Sequence, residues 1–423
     1  MTNSVAFTVR EETHRLLSRY IVAVTLVALA GCAQEAPTSG LIVELLPTIA
    51  AADSAESHLS STTDGAVVMS WLEPEVGGVA LKWSQLNSSR WSEPLTVATG
   101  NNWFVNWADF PSVSPMDGDL WAAHWLVKRP GGTYAYDVAI SISADAGRTW
   151  ADPITPHEDG TATEHGFVSL FPSANGVAAL WLDGRNMQPS DDGHGHGGMT
   201  LRSAIVGVDG DLTGKTIVDE LVCDCCQTDV ALTASGPVAV YRNRTEDEIR
   251  DIYVARFEDD QWQSGVPIAK DGWKIAGCPV NGPAIDAIGQ RVATVWFTAA
   301  NENTKVRFAI STDSGRTFAD AIDIATDRPI GRVDTALLDD GSALVSWLRS
   351  TGGPNAEIRI RHVAADGTLG TAHVVATTAA GRMSGFPQMA LRDDDVVIAW
   401  TDVEDENTQV QTALIGLDGL IRR

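Results

Sequence analysis

The sequence predicts an all-β fold, a β-propeller built from four-stranded antiparallel blades. Short apolar runs that end in an aromatic residue recur about every 50 to 60 residues, which is the period of one such blade. A polar turn containing Gly or Asp precedes each run, and helical periodicity is not sustained after the first 31 residues. The seven runs end at Trp71, Trp125, Trp181, Tyr241, Trp296, Trp347 and Trp400.

Seven runs predict seven blades, and a ring of six blades is the alternative. The last repeat has extended segments near 387–391, 396–402 and 410–417, and the chain then ends. The apolar segment 41–46 has the composition of the missing fourth strand. We therefore expect the N-terminal strand to close the ring within the last blade, so that 41–423 forms a single domain.

The N-terminus has the features of an export signal. Three arginines precede the apolar run 20–30, and the segment Leu29-Ala30-Gly31-Cys32 follows. This pattern resembles a bacterial lipoprotein signal, and an ordinary signal peptide or a short anchor helix is the alternative. The resemblance implies that 1–31 are removed, that Cys32 is acylated and that 32–40 form a tether. With no Asp directly after Cys32, it implies a cell-envelope protein held at the outer membrane.

The composition limits the classes of partner. The chain has 423 residues, 44% of them hydrophobic, and a formal net charge of −25. It is long enough for a large core, but nucleic acid is excluded as a partner because phosphate binding requires a basic surface. We expect a monomer that binds a carbohydrate or a small anionic ligand and contacts the membrane only through its lipid.

One eight-residue pattern, S-x-D-x-G-x-T-[WF], occurs at 143–150 and again at 311–318. Each copy follows an apolar run, and we expect it to form the turn between the third and fourth strands of a blade. The Asp can accept hydrogen bonds from backbone N–H groups, and the Gly can adopt a positive φ. The pattern resembles the Asp-box of the sialidase-like (BNR repeat) β-propellers. That resemblance implies the fold, whereas activity depends on other residues.

The topology of a propeller separates these turns from the candidate ligand-binding residues. With strands named A to D from the axis outward, the A–B and C–D turns lie on one face, here called the turn face. The B–C loops and the connections between blades lie on the opposite face, here called the mouth face. Charged residues after strand B or near the start of strand A are therefore expected at the axial mouth. The ligand-binding candidates are Asp183, Arg185, Asp229, Arg242, Arg244, Arg332, Asp334 and Arg382.

The arginines suggest that the ligand carries a carboxylate, which a guanidinium binds through two parallel hydrogen bonds. Sialidases use three such arginines, an Asp as acid/base and a Tyr activated by a Glu as nucleophile. This sequence lacks their Phe/Tyr-Arg-Ile-Pro segment and has no Tyr late in the chain, so the full catalytic set is not recognisable. Binding of an anionic glycan, with exo-sialidase-like hydrolysis as an extension, is the leading hypothesis. Alternatively, the arginines pair with neighbouring carboxylates and brace the loops.

The cysteines that follow Cys32 allow two interpretations. Aligning consecutive repeats places Cys225 level with Cys278, so we expect an inter-blade disulfide in an oxidising compartment. The pairing among Cys223, Cys225, Cys226 and Cys278 stays open. The alternative is copper or zinc handling, since imidazole, thiolate and thioether groups would lie on the same face. The candidate metal ligands are His194, His196, Met199, Cys225, Cys226 and Cys278.

A third hypothesis is a non-catalytic interaction scaffold. Three tryptophans fall in the connections between blades and could stack on the apolar faces of sugar rings. Packing between blades explains the same residues equally well. They are Trp103, Trp107 and Trp273.

Overall fold

The chain forms a seven-bladed β-propeller, as expected. The computed structural model describes residues 41–187 and 197–421. Its strands form seven antiparallel sheets arranged in a ring. Within that part of the chain no helix is long and apolar enough to span a membrane.

Chain order and blade order coincide, except for the first strand. Strand β1 (Val43–Leu45) belongs to the last blade, and the other strands are as follows. Blade 1 contains β2 (Ala55–Ser61), β3 (Val67–Glu75), β4 (Gly78–Asn87), β5 (Arg90–Trp91) and β6 (Leu95–Gly100). Blade 2 contains β7 (Ser112–Pro115), β8 (Trp121–Lys128) and β9 (Tyr136–Ser143). Blade 3 contains β10 (His165–Ser173), β11 (Gly176–Asp183), β12 (Met199–Gly207) and β13 (Leu212–Val222).

The second half of the ring follows the same plan. Blade 4 contains β14 (Asp229–Thr233), β15 (Gly236–Arg242), β16 (Ile252–Glu258), β17 (Gln261–Trp262) and β18 (Val266–Pro267). Blade 5 contains β19 (Ala284–Ile288), β20 (Arg291–Thr298), β21 (Lys305–Ser311) and β22 (Ile322–Ala325). Blade 6 contains β23 (Pro329–Leu337), β24 (Ala343–Ser350), β25 (Asn355–Val363) and β26 (Leu369–Ala379). Blade 7 contains β27 (Gln388–Arg392), β28 (Asp395–Glu404) and β29 (Asn407–Gly416). The short helices are the 3₁₀ turns Ala300–Glu302 and Arg382–Ser384 and helix α1 (Leu417–Ile421).

The ring closes through the N-terminal strand. Strand β1 pairs antiparallel with β29, and Val43 faces Ile415 while Leu45 faces Ala413. The last three strands of the chain and the first strand therefore share one blade, which confirms the predicted closure. This pairing fastens the two ends of the ring by backbone hydrogen bonds.

The core lies between neighbouring blades. The second strand of each blade is covered on both faces, which explains its nearly continuous apolar run. All seven aromatic residues that mark the repeats are buried, with exposed fractions of at most 6%. The marker residues therefore pack neighbouring blades together, and each blade contains one of them.

The two repeated turns have the same hydrogen-bond pattern. In the first, the Thr149 backbone N–H donates to Asp145 Oδ1 at 2.8 Å, and the Gly147 N–H donates to Ser143 Oγ at 2.9 Å. In the second, the corresponding bonds to Asp313 and Ser311 are again 2.8 and 2.9 Å. The glycine φ angles are 78° and 77°, in the left-handed region that favours glycine.

Both turns lie on the turn face beside the A–B turn of their own blade. The Ala146 N–H donates to the Asp119 carbonyl, and the Ser314 N–H donates to the Gln290 carbonyl. Hydrogen bonds from the Thr149 and Thr317 backbone and hydroxyl groups lower the pKa of Asp145 and of Asp313 to about 2. The aspartates are therefore ionised, and they stabilise the turn.

Candidate functional site

The mouth face carries a buried phenol between two carboxyl groups. Tyr136 Oη lies 2.9 Å from Asp109 Oδ2 and 2.8 Å from Glu164 Oε1. Asp109 comes from the connection between blades 1 and 2, Tyr136 begins β9, and Glu164 directly precedes β10. These three residues are called the Tyr136 cluster below.

The geometry of the Tyr136 cluster requires an additional proton. A phenol has one proton, so it can donate to only one of two carboxylates. For both contacts to be hydrogen bonds, one carboxyl group must be protonated and donate to the phenol oxygen. Burial raises the pKa of Asp109 to about 7 and the pKa of Glu164 well above its ordinary value. The cluster therefore keeps a carboxylic acid at neutral pH, the state required of a general acid.

The backbone around Gly166 fixes the position of Asp109. A side chain at Gly166 would place Cβ 1.9 Å from Asp109 Oδ2 and 2.9 Å from Tyr136 Cε2. The Phe167 N–H donates to Asp109 Oδ1 at 2.7 Å, and the pairing register of β10 shifts between Gly166 and Ser169. On its other side, the Tyr136 ring stacks on Phe104 with a centroid distance of 4.0 Å. The bulge in β10 thus lets the carboxyl group approach the phenol.

Asp109 also reaches the axial channel. A cavity of about 260 Å³ runs between the inner strands, and Asp109, Asp229 and Asp334 line it together with His58 and His124. Burial raises the pKa of Asp229 to about 6 and of Asp334 to about 8. Burial lowers the pKa of His58 to about 4 and of His124 to about 3. The two histidines are therefore neutral at pH 7, and Asp334 is largely protonated.

Three inner-strand aspartates tie successive blades together. Each accepts a hydrogen bond from a backbone N–H on the inner strand of the following blade. Two of them are the predicted ligand-binding residues Asp229 and Asp334. The bonds are Ile285 N–H to Asp229 at 2.9 Å, Leu337 N–H to Asp286 at 2.7 Å and Met389 N–H to Asp334 at 2.6 Å.

Arg242 lies inside the mouth face and is only 2% exposed. Its guanidinium donates to the backbone carbonyls of Asn281, Arg250 and Phe297 at 2.6 to 2.9 Å. It also lies over the Trp273 ring, 4.8 Å from the centroid. These contacts join the β15–β16 loop of blade 4 and the connection between blades 4 and 5 to the end of β20.

Arg332 makes contacts of the same type beside Trp107. It donates to Ser384 Oγ at 2.6 Å and to the carbonyls of Gly381 and Gly385 at 2.9 and 3.0 Å. Its guanidinium lies 4.7 Å from the centroid of the Trp107 ring. Burial lowers the pKa of Arg332 to about 10. Trp107 and Trp273, two of the proposed sugar platforms, each have one ring face against a buried arginine.

The remaining predicted arginines differ in their partners and in their exposure. Arg185 contacts both Asp183 oxygens, at 2.7 and 2.6 Å, and Asp183 is fully buried. Arg244 pairs with Glu248 at 2.6 Å, and Arg382 is exposed on its 3₁₀ turn. Arg185 and Arg244 thus pair with carboxylates of their own loops, and their role in ligand binding stays a prediction.

Two histidines lie directly behind Tyr136. His165 Nδ1 is 3.2 Å from the Tyr136 carbonyl, and its Nε2 is 3.2 Å from Asp159 Oδ2. The His157 ring stacks on His165 with a centroid distance of 3.8 Å. The Arg185 guanidinium lies 3.3 Å from Asp159 Oδ2, so the Asp159 carboxylate is paired with a cation as well as with His165.

The four cysteines in the described part of the chain are close together but form no disulfide. Cys223 Sγ lies 2.8 Å from Cys226 Sγ and 3.9 Å from Cys225 Sγ, whereas a disulfide bond is about 2.05 Å long. Cys278 lies within 4.8 Å of Cys225 and Asp224, but the inter-blade disulfide expected from their alignment is not formed. Spacing placed the residues correctly beside one another, but it could not fix the distance between their sulfur atoms.

Of the other predicted metal ligands, Met199 is the one that lies among the described residues. Met199 is fully buried in the apolar cluster of blades 3 and 4. His194 and His196 lie outside the described residues. Arg250 borders the cysteines and lies 3.4 Å from Cys223 Sγ and 2.9 Å from Asp224 Oδ1.

The Tyr136 cluster is the part of the site that the sequence did not indicate. Each blade also contributes the first residue of strand C to the mouth face, and Tyr136 is that residue in blade 2. The sequence prediction covered only the ends of strand B and the starts of strand A, so it did not include Tyr136. The position of Glu164, immediately before His165, was an available signal.

Comparisons with known proteins support the fold. No family model and no curated protein sequence matches the chain. The endosialidase of phage phi92 superposes with a TM-score of 0.51 at 9% identity, covering 89% of this chain and 69% of the endosialidase chain. A Dyadobacter fermentans protein of unknown function has a TM-score of 0.49 at 13% identity over 89% of this chain and 99% of its own. The polysaccharide lyase Uly1 has a TM-score of 0.49 at 9% identity over 90% of this chain and 100% of its own.

Proposed function

We propose that the protein binds an anionic, carboxylated glycan at the axial mouth and cleaves it by general acid catalysis. The observation that carries the proposal is the Tyr136 hydroxyl between the Asp109 and Glu164 carboxyl groups, at 2.9 and 2.8 Å. Asp109 is the proton donor, because it is the member of the cluster that lines the axial cavity. Tyr136 and Glu164 position that carboxyl group, and burial raises its pKa to about 7.

Two further observations support a glycan as the ligand. The fold is also that of an endosialidase, although a likeness at 9% identity concerns the fold alone. Exposed cationic side chains, Lys274 and Arg382, lie on the blade connections that surround the mouth. They offer an anionic chain favourable electrostatic contacts on a protein that is otherwise acidic.

The test is turnover of a panel of sialosides, polysialic acid and uronic acid polysaccharides, measured as new reducing ends. We expect Asp109→Asn to lower kcat by about 10²- to 10⁴-fold, the usual contribution of a general acid. Glu164→Gln should lower it less and should shift the pH profile, since it acts through Asp109. Activity in the unsubstituted protein should decline as pH rises through about 7, because the acid form is then lost.

Asp117→Asn on the turn face is the matched control, because Asp117 is an exposed aspartate far from the mouth in the topology. It should leave kcat unchanged, and circular dichroism should show that all variants are folded. Equal turnover in Asp109→Asn and in the unsubstituted protein would refute the acid role. Binding without turnover of any substrate would favour the interaction scaffold.

We also propose that the mature protein is a monomer anchored to the outer membrane through an acylated Cys32. The support is the resemblance of the first 32 residues to a lipoprotein signal. The intact mass of protein extracted from membranes should correspond to a chain that begins at a lipid-modified Cys32. Recovery of Cys32→Ala in the membrane fraction at the same level would contradict the proposal.

A further inference from the structure

Three cysteine side chains converge at the end of β13. Cys223 and Cys226 are both 1% exposed, and Cys225 lies between them in sequence and is partly exposed. The Cys223 sulfur is 3.9 Å from that of Cys225 and 2.8 Å from that of Cys226. With zinc–thiolate bonds of about 2.3 Å, two sulfurs of a tetrahedral site are about 3.8 Å apart. The first distance already matches this value, and the second matches it after an outward shift of about 1 Å.

The arrangement differs from that of paired disulfides. In a disulfide, each sulfur has a single partner at about 2.05 Å. Here Cys223 faces two sulfurs at once, and all three side chains come from a segment of four residues. Three thiols this close together can bind one metal ion that prefers several thiolate ligands.

A fourth sulfur comes from a different blade connection. Cys278 belongs to the segment between β18 and β19. Its sulfur lies within 4.8 Å of the Cys225 sulfur and of an Asp224 carboxylate oxygen. Ligation by Cys278 would therefore join the connection that follows blade 3 to the one that follows blade 4. Both segments are connections between consecutive blades, and such connections lie on the mouth face.

The surroundings can balance the charge of a thiolate site. The Arg250 guanidinium contacts Cys223 Sγ at 3.4 Å and Asp224 at 2.9 Å, and its side chain is only 3% exposed. The Arg250 carbonyl in turn accepts a hydrogen bond from Arg242 at 2.6 Å. Four thiolates around a divalent ion carry an excess negative charge, and a buried guanidinium next to them offsets part of it.

We propose that Cys223, Cys225 and Cys226 bind one thiophilic metal ion, Zn²⁺ or Cu(I). Cys278, whose sulfur lies near that of Cys225 but outside the group formed by the other three, becomes the fourth ligand by moving toward the ion. Each sulfur that binds the ion releases its proton to solvent, and no electron is transferred. The ion holds two blade connections together beside the mouth. The site is independent of the glycan hypothesis, and it requires neither Met199 nor the 188–196 segment.

The test uses the mature chain purified without a histidine tag, without reductant and under exclusion of oxygen, so that native disulfides and free thiols are both preserved. Elemental analysis should find about one Zn or Cu per chain, and the two elements are distinguished by the same measurement. Removal of the ion by a chelator should expose the four thiols to alkylation, and added Zn²⁺ or Cu(I) should protect them again. Cys225→Ser and Cys226→Ser should reduce the bound metal at least about tenfold.

Met199→Leu is the control, because it replaces a buried sulfur without changing the proposed ligand set, and it should keep the full metal content. Cys278→Ser should weaken metal retention against a chelator while leaving three ligands. If a cysteine variant fails to fold, the chelation and reloading of the unsubstituted protein decide the question. Disulfide-bonded cysteines in the purified protein, or free thiols that neither added ion protects, would overturn the proposal.

Discussion

The turn face and the axial channel use aspartate in opposite ways. On the turn face, Asp145 and Asp313 accept hydrogen bonds near the solvent, and their pKa falls to about 2. In the channel, burial raises the pKa of Asp109 to about 7 and of Asp334 to about 8. Hydrogen bonds that favour the charged form dominate on the turn face, whereas the loss of solvation dominates in the channel.

This difference separates what builds the propeller from what equips it for chemistry. An ionised aspartate in a tight turn stabilises a blade, and its sequence pattern is easy to recognise. A carboxyl group that keeps its proton at neutral pH can transfer that proton to a ligand. The recognisable pattern therefore indicates the fold, and the buried carboxyl groups indicate the candidate site.

The largest expected effect is on the pH dependence of stability. The folded pKa of Asp334 is about 8 and that of Asp109 about 7, both above the unfolded value near 3.9. The unfolded chain has lost these protons at pH 6.5, so the free energy of unfolding should decrease as pH rises from 6.5 to 8.5. The decrease should be on the order of 2 kcal/mol, since each proton contributes about 1.4 kcal/mol per pH unit.

Denaturant unfolding at several pH values across this window measures the effect. Histidines whose pKa is lowered, such as His58 and His124, oppose this effect near pH 6.5, because about half of each unfolded imidazole is protonated there, and their contribution fades above about pH 7.5. The effect of Asp334 is therefore read from the difference between variants at the same pH. Asp334→Asn should flatten the pH dependence, whereas Asp117→Asn on the turn face should retain it. Equal slopes in the two variants would show that Asp334 is ionised in the folded protein.

The next effect concerns the close approach of β10 to Asp109. In Gly166→Ala the added Cβ would lie 1.9 Å from the carboxyl group, so the backbone or Asp109 must move. We expect a loss of about 1 to 3 kcal/mol in the free energy of unfolding, the usual cost of overpacking. Because the displaced group is the proposed acid, turnover of the glycan substrate should fall as well.

Gly353→Ala is the matched control for Gly166→Ala. Among the described residues, no atom lies within 4 Å of the position that a Cβ on Gly353 would take. Its melting temperature and activity should equal those of the unsubstituted protein within error. A Gly166→Ala protein of unchanged stability would mean that the contact between β10 and Asp109 is looser than the structure indicates.

The sequence was sufficient for the fold because the relevant signals are local and repeated. Each aromatic marker ends a run buried between blades, so the number of markers gives the number of blades. The segment 41–46 could be matched to the strand missing from the last repeat. The site depends on contacts that no short segment contains. The Tyr136 cluster unites positions 109, 136 and 164, and the partners of Arg242 and Arg332 are mostly backbone carbonyls, which leave no pattern in the side chains.

The state of the four cysteines also could not be predicted from the sequence. Aligning repeats was enough to place Cys225 beside Cys278, because both occupy equivalent connections between blades. The choice between a disulfide, free thiols and a metal site depends on differences of about 1 to 2 Å between sulfur atoms. Residue spacing does not determine such distances, since they depend on the conformation of two loops from different blades.

The smallest effect should come from the turn face. Asp313→Ala removes the acceptor for the Thr317 N–H at 2.8 Å and for the hydroxyls of Ser311 and Thr317 at 2.7 and 2.6 Å. Because water can replace part of these bonds, we expect a loss of only about 1 kcal/mol, measured by denaturant unfolding. Asp320→Ala, at an exposed position of the same blade, should change stability by less than about 0.5 kcal/mol. Glycan turnover should be unaffected in both variants, since the turn lies on the face opposite the mouth. A loss of turnover in a correctly folded Asp313→Ala protein would contradict the division of roles between the two faces.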